Sequence, residues 1–249
     1  MSEFQSPPAM PVERPATLYV NDEELVTLQT TPSHLDDWAV GFLFGEGLIK
    51  QLSQIAKISV DEDRGLIWVD LPGLDVLPDA GARKRYLTAG CGKGVTFSSL
   101  KDALMLQKVD HPLQVAMADL LAWVKELQQN TPLYAETGGV HAAGLKHVET
   151  GELIVREDIG RHNALDKAIG AAFRAGWDFS RVVAVTSGRI SYEASSKMGR
   201  AGIGIGASLT AATDQAVRLA AHLGMDLVGY ARSPRHLVVY TSGARLVRD

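Results

Sequence analysis

With 249 residues, 46% of them hydrophobic and 22% charged, the chain suits one large domain or a main domain with a smaller satellite, and a packed core is expected. A formal charge of −4 argues against a general nucleic-acid binder, so any anion site must be local. The single cysteine excludes an intrachain disulfide and any multi-cysteine zinc or iron–sulfur cage; no apolar run is long enough to span a membrane, and a cytoplasmic protein is expected.

The opening stretch MSEFQSPPAMPVERPA has neither a continuous apolar core nor a basic start, so residues 1–15 read as a flexible leader rather than a signal peptide. ATLYVNDEELVTLQT alternates about Asn21-Asp22 and predicts a hairpin. In PSHLDDWAVGFLFGEGLIK, Ser33 with Asp36 resembles a capping box. Leu35, Trp38, Phe42 and Leu43 share one helical face, and Gly45 and Gly47 mark the stop. KISVDEDRGLIWVDL predicts a second hairpin, turning near Asp63-Arg64-Gly65. Residues 72–96 are irregular, rich in Gly, Pro and basic residues, and long enough to suggest a functional loop.

From Asp110 the spacing of Leu113, Leu120, Val124 and Leu127 predicts a helix. GGVHAAGLKHV and GELIVREDI read as paired strands, and GRHNALDKAIGAAFRAG as a helix burying Leu165, Ala168, Ile169, Ala172 and Phe173. Beyond it, strands RVVAVTS, GIGIGAS, DLVGYA and HLVVYT alternate with helices SYEASSKMG and TDQAVRLAAHLG. That order predicts an α/β layer on a largely parallel sheet.

Five stretches could carry chemistry. Cys91 lies between Gly90 and Gly92, with Arg83, Lys84, Arg85 and Lys93 nearby, a setting that favours a reactive thiolate over a buried apolar thiol. REDIGRHNALDKAIG gathers Arg156, Glu157, Asp158, Arg161, His162, Asn163, Asp166 and Lys167 at a strand end and helix start. Arg161 and Lys167 there could bind phosphate, and Asp158 or Asp166 a guanine edge; a solvated helix face is the plainer account. Ser187-Gly188-Arg189 turns the chain at the carboxyl end of a strand, where ligands of open α/β sheets gather. Tyr230, Arg232 and Arg235, around Ala231 and Ser233-Pro234, could stack a base and bind pyrophosphate; a plain turn is an equally good account. His141 in TGGVHAAGL echoes a zinc deaminase, but Ala143 stands where the glutamate belongs and no cysteine pair exists, so no zinc is expected and His141 becomes a hydrogen-bonding residue near the ligand or a structural one.

Together GFLFGEGLI, the cysteine loop, TGGVHAAGL, REDIGRHNALDKAIG, TSGRISYE and LVGYARSPR resemble the FdhD family, over about Leu18 to Leu246. The resemblance implies a sulfurtransferase that takes persulfide sulfur from a cysteine desulfurase and passes it to the bis(molybdopterin guanine dinucleotide) molybdenum cofactor of formate dehydrogenase. It implies a homodimer and a cytidine deaminase-like three-layer α/β/α domain with a smaller N-terminal strand-and-helix region. Under it, residues 16–109 form that region, with the cysteine loop at about 80–97, and residues 110–249 the cofactor-binding domain. Cys91 matches the persulfide carrier and Tyr230 to Arg235 the cofactor-binding stretch. Arg161, His162, Asn163, Ser187, Gly188, Arg189 and His141 complete the expected site. The family loop usually carries a second cysteine where this chain has Gly94, which leaves a non-catalytic cofactor-delivery module as the alternative.

Overall fold

The computed structural model describes residues 9–74, 86–88, 94–96 and 106–247. Two hairpins build the first sheet. Strands β1 (Arg14–Val20) and β2 (Glu23–Thr30) are joined by Asn21 and Asp22, both with positive φ, the left-handed geometry a tight two-residue turn demands. Strands β3 (Lys57–Asp61) and β4 (Leu66–Asp70) turn through Gly65 at φ 66°. The sheet order is β2-β1-β4-β3, with β1 and β4 parallel. Alternation sets its faces: Ala16, Leu18, Val20, Ile67 and Val69 point into the core, while Tyr19 stacks on Trp68 on the other side.

Helix α1 (Leu35–Gly45) packs beneath this sheet and is buried almost all round. The expected capping box at Ser33 and Asp36 does not form. His34 occupies the cap in the left-handed region, and the Asp36 carboxylate accepts from the Asp37 N–H instead. The predicted glycine stop is present: the helix ends at Gly45, and Gly47 takes φ 77°.

Strands β5 (Tyr86–Thr88) and β6 (Gly94–Thr96) form a small antiparallel pair, with Thr88 opposite Gly94. The helix read from Asp110 starts later than the spacing implied. Pro112 disfavours a helical residue before it, and Leu113 is buried just ahead of β7 (Val115–Ala116), which pairs with β14 (Leu246–Val247). Helix α2 (Met117–Gln129) then buries Leu120, Val124 and Leu127. A short helix α3 (Pro132–Thr137) follows, its first N–H groups at Leu133 and Tyr134 held by the Glu157 carboxylate at 3.0 and 2.7 Å.

The main sheet has six strands in the order β13-β12-β11-β10-β8-β9. Strands β8 (His141–His147) and β9 (Leu153–Asp158) form a hairpin. Helix α4 (Arg161–Arg174) leads to β10 (Val182–Thr186); α5 (Tyr192–Ala201) to β11 (Ile205–Ser208); and α6 (Asp214–Leu223) to β12 (Asp226–Gly229). Strand β13 (Val238–Thr241) closes one edge. The sheet is mixed rather than largely parallel. Helices α4, α5 and α6 link β9, β10, β11 and β12, which all run in one direction, but β8 lies between β9 and β10 and pairs antiparallel with both, as β13 does with β12, so only β10–β11 and β11–β12 are parallel pairs.

Val182 and Ala184 pack with α4, α5 and α6 on one face, Val183 and Val185 with α2 on the other, giving an α/β/α sandwich. Helix α1 lies outside α4. There the backbones meet at Gly41 and Gly170: a Cβ on Gly41 would come within 2.8 Å of the Gly170 nitrogen, and one on Gly170 within 2.7 Å of the Gly41 nitrogen. This contact fixes the start of α4, and hence one wall of the site.

Candidate functional site

A small cleft, with room inside it for little more than a water molecule, lies where β10 ends. Its polar lining is Arg161, His162, Thr186 and Arg189, over an apolar floor that includes Leu165, Ala194 and Met198. Three chain ends meet there: the start of β8 with His141, the start of α4 with Arg161 and His162, and the turn Ser187-Gly188-Arg189 after β10. The Ser187 hydroxyl accepts from the Ala142 N–H at 2.9 Å and lies 3.3 Å from His141 Nδ1, joining the first segment to the third. Gly188 is needed for the approach of the second: a Cβ there would stand 2.8 Å from the Arg161 Cβ and 3.4 Å from His141 Nδ1.

Among the described residues that line the cleft, the cations are Arg161 and Arg189. Burial, and then the Arg161 guanidinium, holds the His141 imidazole below its ordinary value. Burial lowers His162 to about 3, reinforced by Arg161, Lys197 and Arg189. Both histidines are therefore neutral at physiological pH, and Arg161 and Arg189 make the cleft a place for an anion.

Other residues of the same motif have a different place. The Asp158 carboxylate is fully buried. It is paired with Lys167 Nζ at 2.6 Å, takes hydrogen bonds from the N–H groups of Thr31 at 3.0 Å and Gly160 at 2.7 Å, and accepts from the Thr30 hydroxyl. Asp166 is likewise buried against Lys197 Nζ at 2.6 Å. Burial pushes Asp166 up to about 7 despite the pull of Lys197. These groups are internal struts, so the expectation that Asp158 or Asp166 reads a guanine edge, or that Lys167 binds phosphate, is corrected. Asn163 sits beside them, its amide donating to the Gln29 carbonyl at 2.9 Å and to Asp158 at 3.1 Å.

The turn at Tyr230 joins the same end of the sheet. The Ser208 hydroxyl, at the tip of β11, donates to the Gly188 carbonyl at 2.7 Å. The Ala231 N–H reaches the Ser208 carbonyl at 2.9 Å, and the Tyr230 N–H the Thr210 carbonyl at 2.8 Å. Tyr230 adopts φ 52°, and its ring is exposed together with Arg232, Pro234 and Arg235; Ser233 is half-buried, its hydroxyl 3.1 Å from His236 Nδ1. Ser208 was not foreseen from the sequence; a serine ending the strand next to Ser187 was the available signal. Among the described residues no cluster of His, Cys, Asp or Glu is placed to hold a metal ion, and no helix is long and apolar enough to cross a membrane.

The model of the FdhD/NarQ family matches residues 11–247. The chain belongs to this family. It is 35% identical over 237 residues to the sulfur carrier protein FdhD of Bacillus subtilis (strain 168), covering 95% of this chain and 90% of that one. To the sulfur carrier protein FdhD of Shouchella clausii (strain KSM-K16) it is 37% identical over 239 residues, covering 94% and 88%. A crystal structure of a candidate formate dehydrogenase accessory protein from Desulfotalea psychrophila superposes with a TM-score of 0.75 at 26% identity, covering 95% of this chain and 90% of that one.

The FdhD/NarQ match runs through every motif discussed above, so the cleft and the Tyr230 turn lie inside the shared fold. Cys91, with the rest of residues 89–93, lies outside the described residues. In sequence the segment 89–93 is bounded by Thr88 and Gly94, which face each other across the β5–β6 pair.

Proposed function

We propose that this protein is a sulfur carrier for a formate dehydrogenase, with Cys91 as the carrier and a guanine dinucleotide form of the molybdenum cofactor as the substrate that receives the sulfur. One observation carries the reading: a family match over nearly the whole chain, to relatives named sulfur carrier proteins, in a sequence that holds one thiol. The Cys91 thiolate attacks the outer sulfur of a donor persulfide on a cysteine desulfurase. The donor's S–S bond breaks, the donor leaves as thiolate, and Cys91 keeps the outer sulfur as its own persulfide. One carrier sulfur suffices for this exchange, so Gly94 in place of a second cysteine does not block it. The S–S bond of the Cys91 persulfide then breaks: Cys91 leaves as thiolate, and the outer sulfur passes to the metal of the substrate, which in its reduced form supplies the two electrons that turn this sulfur into a sulfide ligand.

The cleft supports the second half of the reading. Arg161 and Arg189 at the carboxyl end of β10, with Arg232 and Arg235 on the neighbouring turn, suit the phosphates of a dinucleotide, and the exposed Tyr230 ring suits a base. Two copies of the chain would serve the two nucleotide arms of such a substrate.

Incubation with an active cysteine desulfurase and cysteine is expected to add a reducible mass of about 32 Da, one sulfur, mapped to Cys91 and absent from Cys91→Ala. No added mass would overturn the carrier role. With it gone, retained binding of guanosine diphosphate would leave a delivery module, the reading that Gly94 and the arginine cleft favour.

A further inference from the structure

Behind the two cleft arginines stands a hydrogen-bonded chain that the sulfur-transfer reading does not use. His162 Nε2 is 2.8 Å from the Ser191 hydroxyl, and His162 Nδ1 is 3.3 Å from the Glu193 carboxylate. In outline this is a serine, a histidine and an acid in the order of a hydrolytic triad. The surroundings give it another purpose.

A carboxylate only accepts, so Nδ1 must carry the proton and donate to Glu193. Nε2 is then bare and accepts the Ser191 O–H. The Ser191 oxygen in turn accepts from the Ala194 N–H at 3.3 Å and caps α5. Each group's role is fixed by the next one. Glu193 is also 3.9 Å from Lys197 Nζ, whose own carboxylate partner is Asp166 on α4, the helix that begins with Arg161 and His162. A nucleophilic serine needs a base able to take its proton and an oxygen open to substrate. Here the imidazole is surrounded by Arg161, Lys197 and Arg189, which with burial hold it unprotonated, and Ser191 is only 9% exposed.

We propose that His162 is a positioning residue: clamped as the Nδ1–H tautomer between Ser191 and Glu193, it ties the first turn of α4 to the first turn of α5 and so sets the spacing of Arg161 and Arg189 across the cleft. Arg161 precedes His162 by one residue, and Arg189 precedes Ser191 by two, so the hydrogen bond between His162 and Ser191 ties together the two segments that carry the guanidiniums. His162 thereby changes role, from a group that touches the substrate to one that aims two groups that do. This inference rests on the reading of the cleft as an anion site, but its tautomer component can be tested without a ligand.

The experiment is imidazole nitrogen NMR on the full chain, with guanosine diphosphate titrations of Ser191→Ala and Ser191→Thr. The expected spectrum has His162 Nδ1 protonated and Nε2 bare, unchanged from about pH 8 to about pH 5. An Nε2–H tautomer, or protonation of both nitrogens within that range, overturns the proposal whether or not the nucleotide binds. Loss of the hydroxyl in Ser191→Ala is expected to weaken guanosine diphosphate by about tenfold, and Ser191→Thr to restore most of it. Unchanged affinity in Ser191→Ala overturns the positioning role. If the wild-type chain binds no guanosine diphosphate, the anion-site reading fails and the positioning role falls with it, while the NMR result still decides the tautomer. Finally, a fluorophosphonate probe is expected to leave Ser191 unlabelled; labelling would overturn the brace in favour of a nucleophile.

Discussion

At the scale of single residues, the surroundings assign opposite roles to ionisable side chains within one motif. Arg161 and His162 stand at the cleft, whereas Asp158, Asp166 and Lys167, a few positions away, are buried in ion pairs that brace the fold. The motif's density of charge was legible in the sequence. Its division was not, because the partners Thr31 and Lys197 come from distant parts of the chain and burial is a property of the assembled core. His162 yields a measurable pH dependence. The unfolded chain takes up a proton at this imidazole below about pH 6.5, but the folded protein resists it until about 3. Its folded pKa is depressed, so stability is lost as pH falls through that window, by at most about 1.4 kcal/mol per pH unit. Asp166, raised to about 7, acts with the opposite sign, its stabilisation being lost as pH rises. Comparing wild type with His162→Gln cancels the Asp166 contribution. Urea unfolding at pH 7 and pH 5 is expected to show the wild type losing more stability than the variant on acidification. An equal loss in both would show that the folded imidazole takes up protons freely.

At the scale of elements, turn chemistry was the most legible signal. Asn21-Asp22 and Gly65 made their hairpins, and Gly45 with Gly47 ended α1 as expected. The start of α1 was misjudged because Ser33 offers a good cap in isolation, while the chain instead turns through His34 in the left-handed region. Nothing in the local pattern announced that α1 and α4 would cross backbone to backbone. Gly41 and Gly170 reveal it only once the helices are in place, since small residues at a crossing carry no apolar periodicity. The crossing sets the position of α4 and therefore of Arg161. Gly170→Ala would drive a methyl group into the Asp37 carbonyl on α1. Its expected cost is about 1–3 kcal/mol in urea unfolding, with weaker binding of guanosine diphosphate because the α4 start moves. Full stability in this variant would mean that the helices can separate freely.

At the scale of the whole molecule, the order of strands and helices identified an α/β protein, and the layered sandwich agrees. Strand direction was overestimated as parallel, because alternation with helices holds from β9 to β12 while the hairpin strand β8 inserts between β9 and β10 and β13 pairs antiparallel at the other edge. One buried cluster runs through the small sheet, α1, α4, α5, α6 and the main sheet, joining Leu18 and Trp38 to Leu145, Ala168 and Leu223. Tryptophan fluorescence, which includes Trp38 inside this continuous core and Trp177 packed against it, is accordingly expected to change together with circular dichroism in a single unfolding transition. Two separated midpoints would show that the small sheet and α1 come away on their own.

The meeting of α1 with α4 also has a consequence for the protein's birth on the ribosome. Helix α1 is made early, with Trp38, Phe42 and Leu43 on its surface, yet the helix that covers it is complete only after Arg174 has been added. Throughout that interval only the small sheet can cover α1, and the side that will meet α4 stays exposed, the kind of surface on which chaperones act and aggregation begins. The glycine contact that makes the finished fold tight thus leaves one face of the half-made one uncovered while about half of the chain is synthesised.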